Sequence, residues 1–438
     1  MRSTHRRYLR SRKVWLAALL VGWALATGLA VTAVRVTAQE LQGVTRARAT
    51  SFGGRQDALD NVTNCCQFDL IAWEAQELGR WFVRAASRGE PDQVSPDSIT
   101  AVSRFYELVR NLQRAQFQAD RGTPIDPQLV AQWRDEQESL RAITQQTMRE
   151  LVARQLDAEG MSTWVPLTGP QSFPPVVFSL VRPPTILVVS PRDKIALARS
   201  ILLRPSLSGD ETAAMERDAE SLGWSSLVEP TGGYSAYPTI VADSSPLDYT
   251  LSTIAHEWSH TYLFFNPLGF NYFTDPEMRI INETVADIVG RTVGERIMAQ
   301  YFTRPTTPAP ATTPAPPPST TPEPPPFNFR EEMRATRLEA DRLLALGSID
   351  AAEAYMEARR QLFIANGYAI RRLNQAYFAF HGTYADSPGA VSPIGPQLTQ
   401  LYQRSQSLQD FLRTVATVSS ASDFRQVLAL KGIPVAQP

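Results

Sequence analysis

The stretch STIAHEWSHTYLFF, Ser252 to Phe265, holds two of the four histidines in a chain of 438 residues, four positions apart, with a glutamate directly after the first. Residues four apart on a helix lie on one face, a turn above one another, so a helix here lets His256 and His260 aim imidazole nitrogens at a single point. Glu257 projects beside that face, where its carboxylate reaches a water held there without itself binding a metal. This is half of a metal site, and it constrains the whole chain: a second element must bring at least one further ligand to the same point.

Catalytic zinc commonly takes three protein ligands and keeps a fourth position for water. A third histidine six residues beyond His260 is ruled out, because position 266 is Asn and the next histidine is His381. The better candidate is Glu283, in the helical stretch PEMRIINETVADIVGRTVGERIM. Asp287 follows four residues later on the same face. A zinc-bound histidine normally passes its other ring N–H to a carboxylate or carbonyl, and Asp287 suits that role. Each acid alone reads as a solvated helix charge; the pair between Ile280, Ile281, Val285 and Ile288 does not.

H-E-x-x-H is the zincin signature. HEWSH followed by INETVADIVG resembles the gluzincin metallopeptidases, and the second string is similar to the thermolysin-type pattern of an Asn-Glu pair with an acid a turn later. The resemblance covers about Leu251 to Gly290. It implies a zincin-like catalytic core, a Zn2+ cofactor held by His256, His260 and Glu283, Glu257 as general base, Asp287 as the partner of a ligating histidine, and a peptide or protein substrate. The thermolysin motif carrying a downstream histidine is not recognisable. TGGYSAYPTI stands where gluzincin aminopeptidases carry a Gly-rich edge strand with an amine-binding glutamate, and it has no glutamate.

Hydrolysis of this kind develops an oxyanion, and a hydrogen-bond donor aimed at it is worth about 2.7 to 4 kcal/mol. His381 or Tyr384, in YFAFHGTYAD, is the expected donor, set against a reading of that string as a packed or surface aromatic cluster. An edge strand within Tyr234 to Ala242 would hold an extended peptide by backbone pairing. Two other classes keep the same residues: a zincin-fold scaffold that binds a partner without catalysis, and a zinc hydrolase of a non-peptide amide or ester. An intact Glu257 weighs against the scaffold.

The expected fold class is α+β, mostly α: a core with a small sheet flanked by helical regions, behind one transmembrane helix. Residues 1–13 form a basic cytoplasmic tail. The uncharged run 14–34 has 21 residues, which at about 1.5 Å each span roughly 30 Å of hydrocarbon. Basic residues before it keep the amino terminus inside and everything after Arg35 outside, making a single-pass membrane protein; the competing reading is a cleaved signal peptide, whose apolar region is usually shorter. Residues 35–160 read as helical, with Trp73, Leu78 and Trp81 expected in the core.

Residues 161–302 hold the catalytic core, with strands at 176–181 and 185–190, helices near 192–203 and 211–222, and a further strand or pair turning at Gly232-Gly233. Residues 303–329 form a Pro/Thr-rich linker, with eleven of the chain's 33 prolines between 305 and 326, and 330–438 a helical region expected to complete the catalytic unit. A net charge of -1 from 43 basic and 44 acidic residues gives no footprint for nucleic acid. Cys65 and Cys66, the only cysteines, are adjacent; they read as packed thiols first, with a strained ring or a link to another chain as alternatives.

Overall fold

The structure, a computed structural model, describes residues 53–87, 94–165, 169–302, 327–384 and 387–435. The tail at 1–13, the apolar run at 14–34 and the Pro-rich 303–326 lie outside the described residues. Among those described, no helix is long and apolar enough to cross a membrane. The chain is α+β and mostly α.

Short helix α1 (Gly53–Thr63) and α2 (Leu70–Ser87) lead into a long helical hairpin, α3 (Pro96–Asp120) and α4 (Pro127–Ala158). Both hairpin helices start on signals in the sequence. Ser95 caps α3 in a reciprocal pair with Ser98, Asp126 caps α4, and each has a proline at its first turn. Val102, Phe105, Tyr106 and Val109 meet Met148, Leu151, Val152 and Leu156 along the hairpin. On α2 the inward face is not the one the aromatic spacing predicts: Trp73 and Leu78 are only half-buried, while Glu74 and Glu77 are buried. The acids have partners that compensate for burial, since Glu77 accepts from the Ser179 hydroxyl and Glu74 from the Tyr237 amide, both at 3.0 Å. The side chain of Trp81 lies outside the described residues.

Cys65 and Cys66 follow α1 and are joined to each other, with Cα atoms 3.8 Å apart, so the ring form replaces the expected packed thiols.

A hairpin, β1 (Ser162–Val165) with β2 (Gly169–Ser172), precedes β3 (Phe178–Val181), β4 (Thr185–Pro191) and β5 (Arg199–Leu203). Then come α5 (Gly209–Ser221), β6 (Trp224–Pro230), β7 (Gly233–Tyr234) and β8 (Thr239–Ala242). The expected helix near 192–203 is instead a turn and strand β5. Pro191 breaks the chain there, and Ile201 and Leu203 alternate into the core while the strand pairs antiparallel with β4. One sheet runs β5-β4-β6, the other β3-β8-β7. The apolar run on β4 has both faces covered: Leu187 and Val189 pack with Met215 and Ala219 of α5, and Ile186 and Val188 with Leu227 and Ala376. Gly232-Gly233 does not turn the chain between paired strands; it leads β7 out as the edge of the second sheet, and the reversal comes between Tyr234 and Thr239.

From β8 the chain enters α6 (Leu247–Phe264), the short α7 (Pro267–Phe270) and α8 (Pro276–Ile297), which ends in a π-helical turn at Met298–Phe302. Phe327, which falls inside the expected linker, is packed: its ring meets those of Phe363 and Tyr368. Helices α9 (Phe329–Ala345), α10 (Ile349–Ala365), α11 (Gln375–His381), α12 (Ile394–Arg404), α13 (Leu408–Ala416) and α14 (Ala421–Leu430) follow. Leu398, Leu401, Phe411 and Val415 share one core with Ile254, Val285 and Val289 of α6 and α8.

A buried acid ties this last segment to the sheet. Glu216 on α5, 2 % exposed, accepts from the Val228 amide at 2.7 Å and pairs with Arg371 and Arg372. Arg371 also donates to the Val228 carbonyl at 2.7 Å. Glu216→Ala leaves the buried Val228 amide without its acceptor and removes one of two acceptors from each arginine, Arg371 keeping the Val228 carbonyl and Arg372 keeping Glu220; it is expected to lower unfolding free energy by about 2–3 kcal/mol, read as a lower denaturant midpoint with unchanged slope.

Candidate metal centre

Helix α6 starts after Pro246 and puts His256 and His260 one turn apart; α8 starts at Asp275, which caps the Glu277 amide, and carries Asn282, Glu283 and Asp287. The two helices cross in close contact because α8 is bare where they meet. A Cβ at Gly290 would stand 2.6 Å from the Ser252 carbonyl oxygen and 2.9 Å from the His256 Cβ, and one at Gly294 would meet Ser252 as well. These glycines, four apart, set how near the histidine-bearing backbone comes to the carboxylates.

At that crossing the two Nε2 atoms of His256 and His260 are 3.0 Å apart. Glu283 Oε2 lies 3.6 Å from the first and 3.5 Å from the second. Ligands about 2.0–2.1 Å from a tetrahedral zinc are separated by about 3.3 Å, so three donor atoms at these distances surround a point of the right size. His256, His260 and Glu283 are a group that could hold a metal ion.

Both imidazoles are locked by their other nitrogen. Nδ1 of His256 lies 2.9 Å from Asp287 Oδ1, and Nδ1 of His260 lies 2.8 Å from Asn282 Oδ1. An Nδ1 proton donated in each leaves both Nε2 lone pairs facing the common point. Asn282 is oriented in turn by donating to the Leu268 carbonyl at 3.4 Å. Asn282 went unrecognised in the sequence as a histidine partner, although it stands beside Glu283; a carboxamide supplies the same acceptor as the expected acid.

Glu257 is buried beside His256, and the edge strand presses against it: a Cβ at Gly233 would be 2.9 Å from Glu257 Oε1 and 2.7 Å from Thr253 Cγ2. Glycine is therefore required on β7 for its backbone to approach the carboxylate. Tyr384 reaches the site, its ring 6.4 Å from that of His256. His381 does not join it: Nε2 faces Glu229 Oε1 at 3.6 Å and the ring packs on Tyr377 and Phe380. The two candidate donors thus have different neighbours: a β6 acid and two aromatic rings surround the histidine, and His256 faces the tyrosine. Tyr272, absent from the sequence expectations, is the phenol on the opposite side. It donates to Glu283 Oε1, and its ring lies edge-on to His260. It belongs to the irregular segment between α7 and α8, where no periodicity marks it.

Electrostatics follow from burial around shared charge. Burial raises the Glu257 carboxyl, and the nearby imidazoles only partly offset this. Burial would raise Glu283 too, yet His260 and His256 outweigh it and hold the carboxyl well below its usual range. For His256 burial opposes protonation, but Asp287, Glu283 and Glu257 push the imidazole well above its ordinary value; His260 is raised in the same way, chiefly by Glu283. Burial first, then the charge of Glu283, lifts both Tyr272 and Tyr384 well above the ordinary phenol, so each keeps its proton at neutral pH.

Protein families, curated proteins and solved structures were compared with the chain, and none matches.

Two predictions follow from the centre. Asp287→Ala and Asn282→Ala each remove the group that orients one imidazole, and each is expected to weaken zinc binding by roughly 10- to 100-fold in competition with a chelating dye. The second concerns pH. Raised imidazoles stabilise the metal-free fold fully below their unfolded value of 6.5 and lose that contribution as pH rises through the folded value. The lowered Glu283 contributes fully above 4.5 and loses its contribution as pH falls. Chelated protein should therefore melt highest between these two values, while zinc affinity, which requires the imidazoles to release protons, should climb with pH above 6.5.

Proposed function

We propose that the protein is a zinc-dependent peptide hydrolase of the gluzincin kind. The observation that carries the proposal is the convergence of two imidazoles and one carboxylate, from two helices, beside a second buried acid, Glu257, that stands outside that group. Two nitrogens and one oxygen suit zinc, which when bound supplies an acidified water and a polarised carbonyl. His256, His260 and Glu283 would hold it.

The chain's own residues have distinct tasks. Glu257 takes the proton from the attacking water and returns it to the leaving amine; its raised carboxyl lies closer to neutrality than a surface glutamate, which suits both transfers. Tyr384 stays protonated beside the centre and can donate to the developing oxyanion, while Tyr272 gives its one hydroxyl proton to Glu283 and holds that carboxylate in place. Edge strand β7 pairs with β8 on one side only, and an extended substrate adding to its other side would pass Glu257. The run at 14–34, outside the described residues, would anchor this site on the extracytoplasmic face of a membrane.

Metal analysis of the full chain with a cleavage assay on a mixed peptide pool tests the reading. Wild type should carry one zinc and cleave, and Glu257→Gln should keep the zinc while losing roughly a hundred- to ten-thousand-fold in kcat. Tyr384→Phe should lose roughly a hundred-fold or more in kcat with KM little changed. A zinc-loaded wild type that cleaves nothing, or a Glu257→Gln variant as active as wild type, would overturn it.

A further inference from the structure

Arg279 stands one turn before Glu283 on α8, hence on the same face as the metal ligand. Its guanidinium lies 5.1 Å from the ring centroid of Tyr272 and 5.8 Å from that of Phe273. Tyr272 is the residue whose hydroxyl donates to Glu283, so one phenol ring separates this cation from the metal centre.

Arginines at both ends of this helix meet acids: Arg425 pairs with Glu277 at its start, and Arg296 with Glu159 at its far end. Among the described residues no carboxylate forms an ion pair with Arg279. The two acids at helical spacing are committed elsewhere, Asp275 to the Glu277 amide at the helix start and Glu283 to the imidazoles. The first turns of a helix favour anions through the backbone dipole, so α8 gains nothing from a cation at this place. A guanidinium stacked on aromatic faces keeps its edge N–H groups free, in a fork that matches a carboxylate. Around it the surface is aromatic and open, with Phe273 65 % and Phe270 59 % exposed.

We infer that Arg279 is the substrate-recognition residue of this centre and that it binds a carboxylate of the peptide being cleaved, while the exposed Phe273 and Phe270 rings receive the apolar part of the same segment. The inference rests on the hydrolase reading above and names its substrate class. The carboxylate has two sources, the free carboxy terminus of a peptide or an internal Asp or Glu side chain, and they share this chemistry.

The test uses the full-length, zinc-loaded chain carrying Glu257→Gln, so that peptides bind without turnover. Heptapeptides of one sequence are compared as free acid and carboxamide, and a second carboxamide pair carries an internal Glu or Gln. One acidic form should bind roughly ten-fold or more tightly than its neutral partner, as a charge-assisted bidentate contact implies. Adding Arg279→Gln should collapse that ratio to about two-fold or less, while Arg279→Lys keeps part of it as a point charge. With Glu257 intact, the same ratio should reside in KM. A preference for the free acid marks an exo-acting enzyme; a preference for internal Glu marks recognition within a chain. Equal binding of acidic and neutral peptides, or a preference untouched by Arg279→Gln in protein whose thermal midpoint is unchanged, overturns the inference. If the preference and its loss are seen but wild type cleaves no peptide, the hydrolase reading fails and the carboxylate site stands.

Discussion

The approach of α6 to α8 is the constraint on which the rest depends. Two helices can carry metal ligands in any fold, but Nε2 atoms and a carboxylate come within 3.6 Å of one another only if the backbones nearly touch. Gly290 and Gly294 allow this, because any side chain there would occupy the space of Ser252 and His256. Ile254, Val285 and Val289 then pack around the same crossing and are fully or almost fully buried. Packing and ligand geometry are therefore one property of this helix pair.

That arrangement gathers ionisable groups where water is scarce. Burying such groups is unfavourable unless each finds a partner, and here each does: His256 with Asp287, His260 with Asn282, Glu283 with both imidazoles and Tyr272. Glu257 is the exception in kind, an acid against the edge-strand glycine, with a carboxyl that burial raises and the two imidazoles only partly bring down. A group that is buried, raised and next to a metal-competent triad is suited to moving protons and not to holding a fold together.

The segment beyond the Pro-rich stretch joins the same physical unit. Arg371 and Arg372 close the charge of Glu216 under the β5-β4-β6 sheet, α12 and α13 line the core behind α8, and Tyr384 comes within ring contact of His256. Residues far apart in the chain thus face one centre, with Tyr272 contributed by the connection after α7.

Some of this was legible in the residues alone. His256, Glu257 and His260 could be read because a helix has one period, and Glu283 with Asp287 for the same reason. What no local rule supplies is which face of one element meets which face of another. The apolar spacing of α2 suggested buried tryptophan, whereas the neighbouring sheet offered donors that took Glu74 and Glu77 instead. The same holds for 199–203, where a helix was expected and pairing with β4 makes a strand, and for His381, held by Glu229 on a strand about 150 residues earlier in sequence. Periodicity singled out the candidate ligands; the crossing of α6 and α8, which depends on contacts between distant residues, decided that they share a single point, and that Tyr384 and Tyr272 stand beside it.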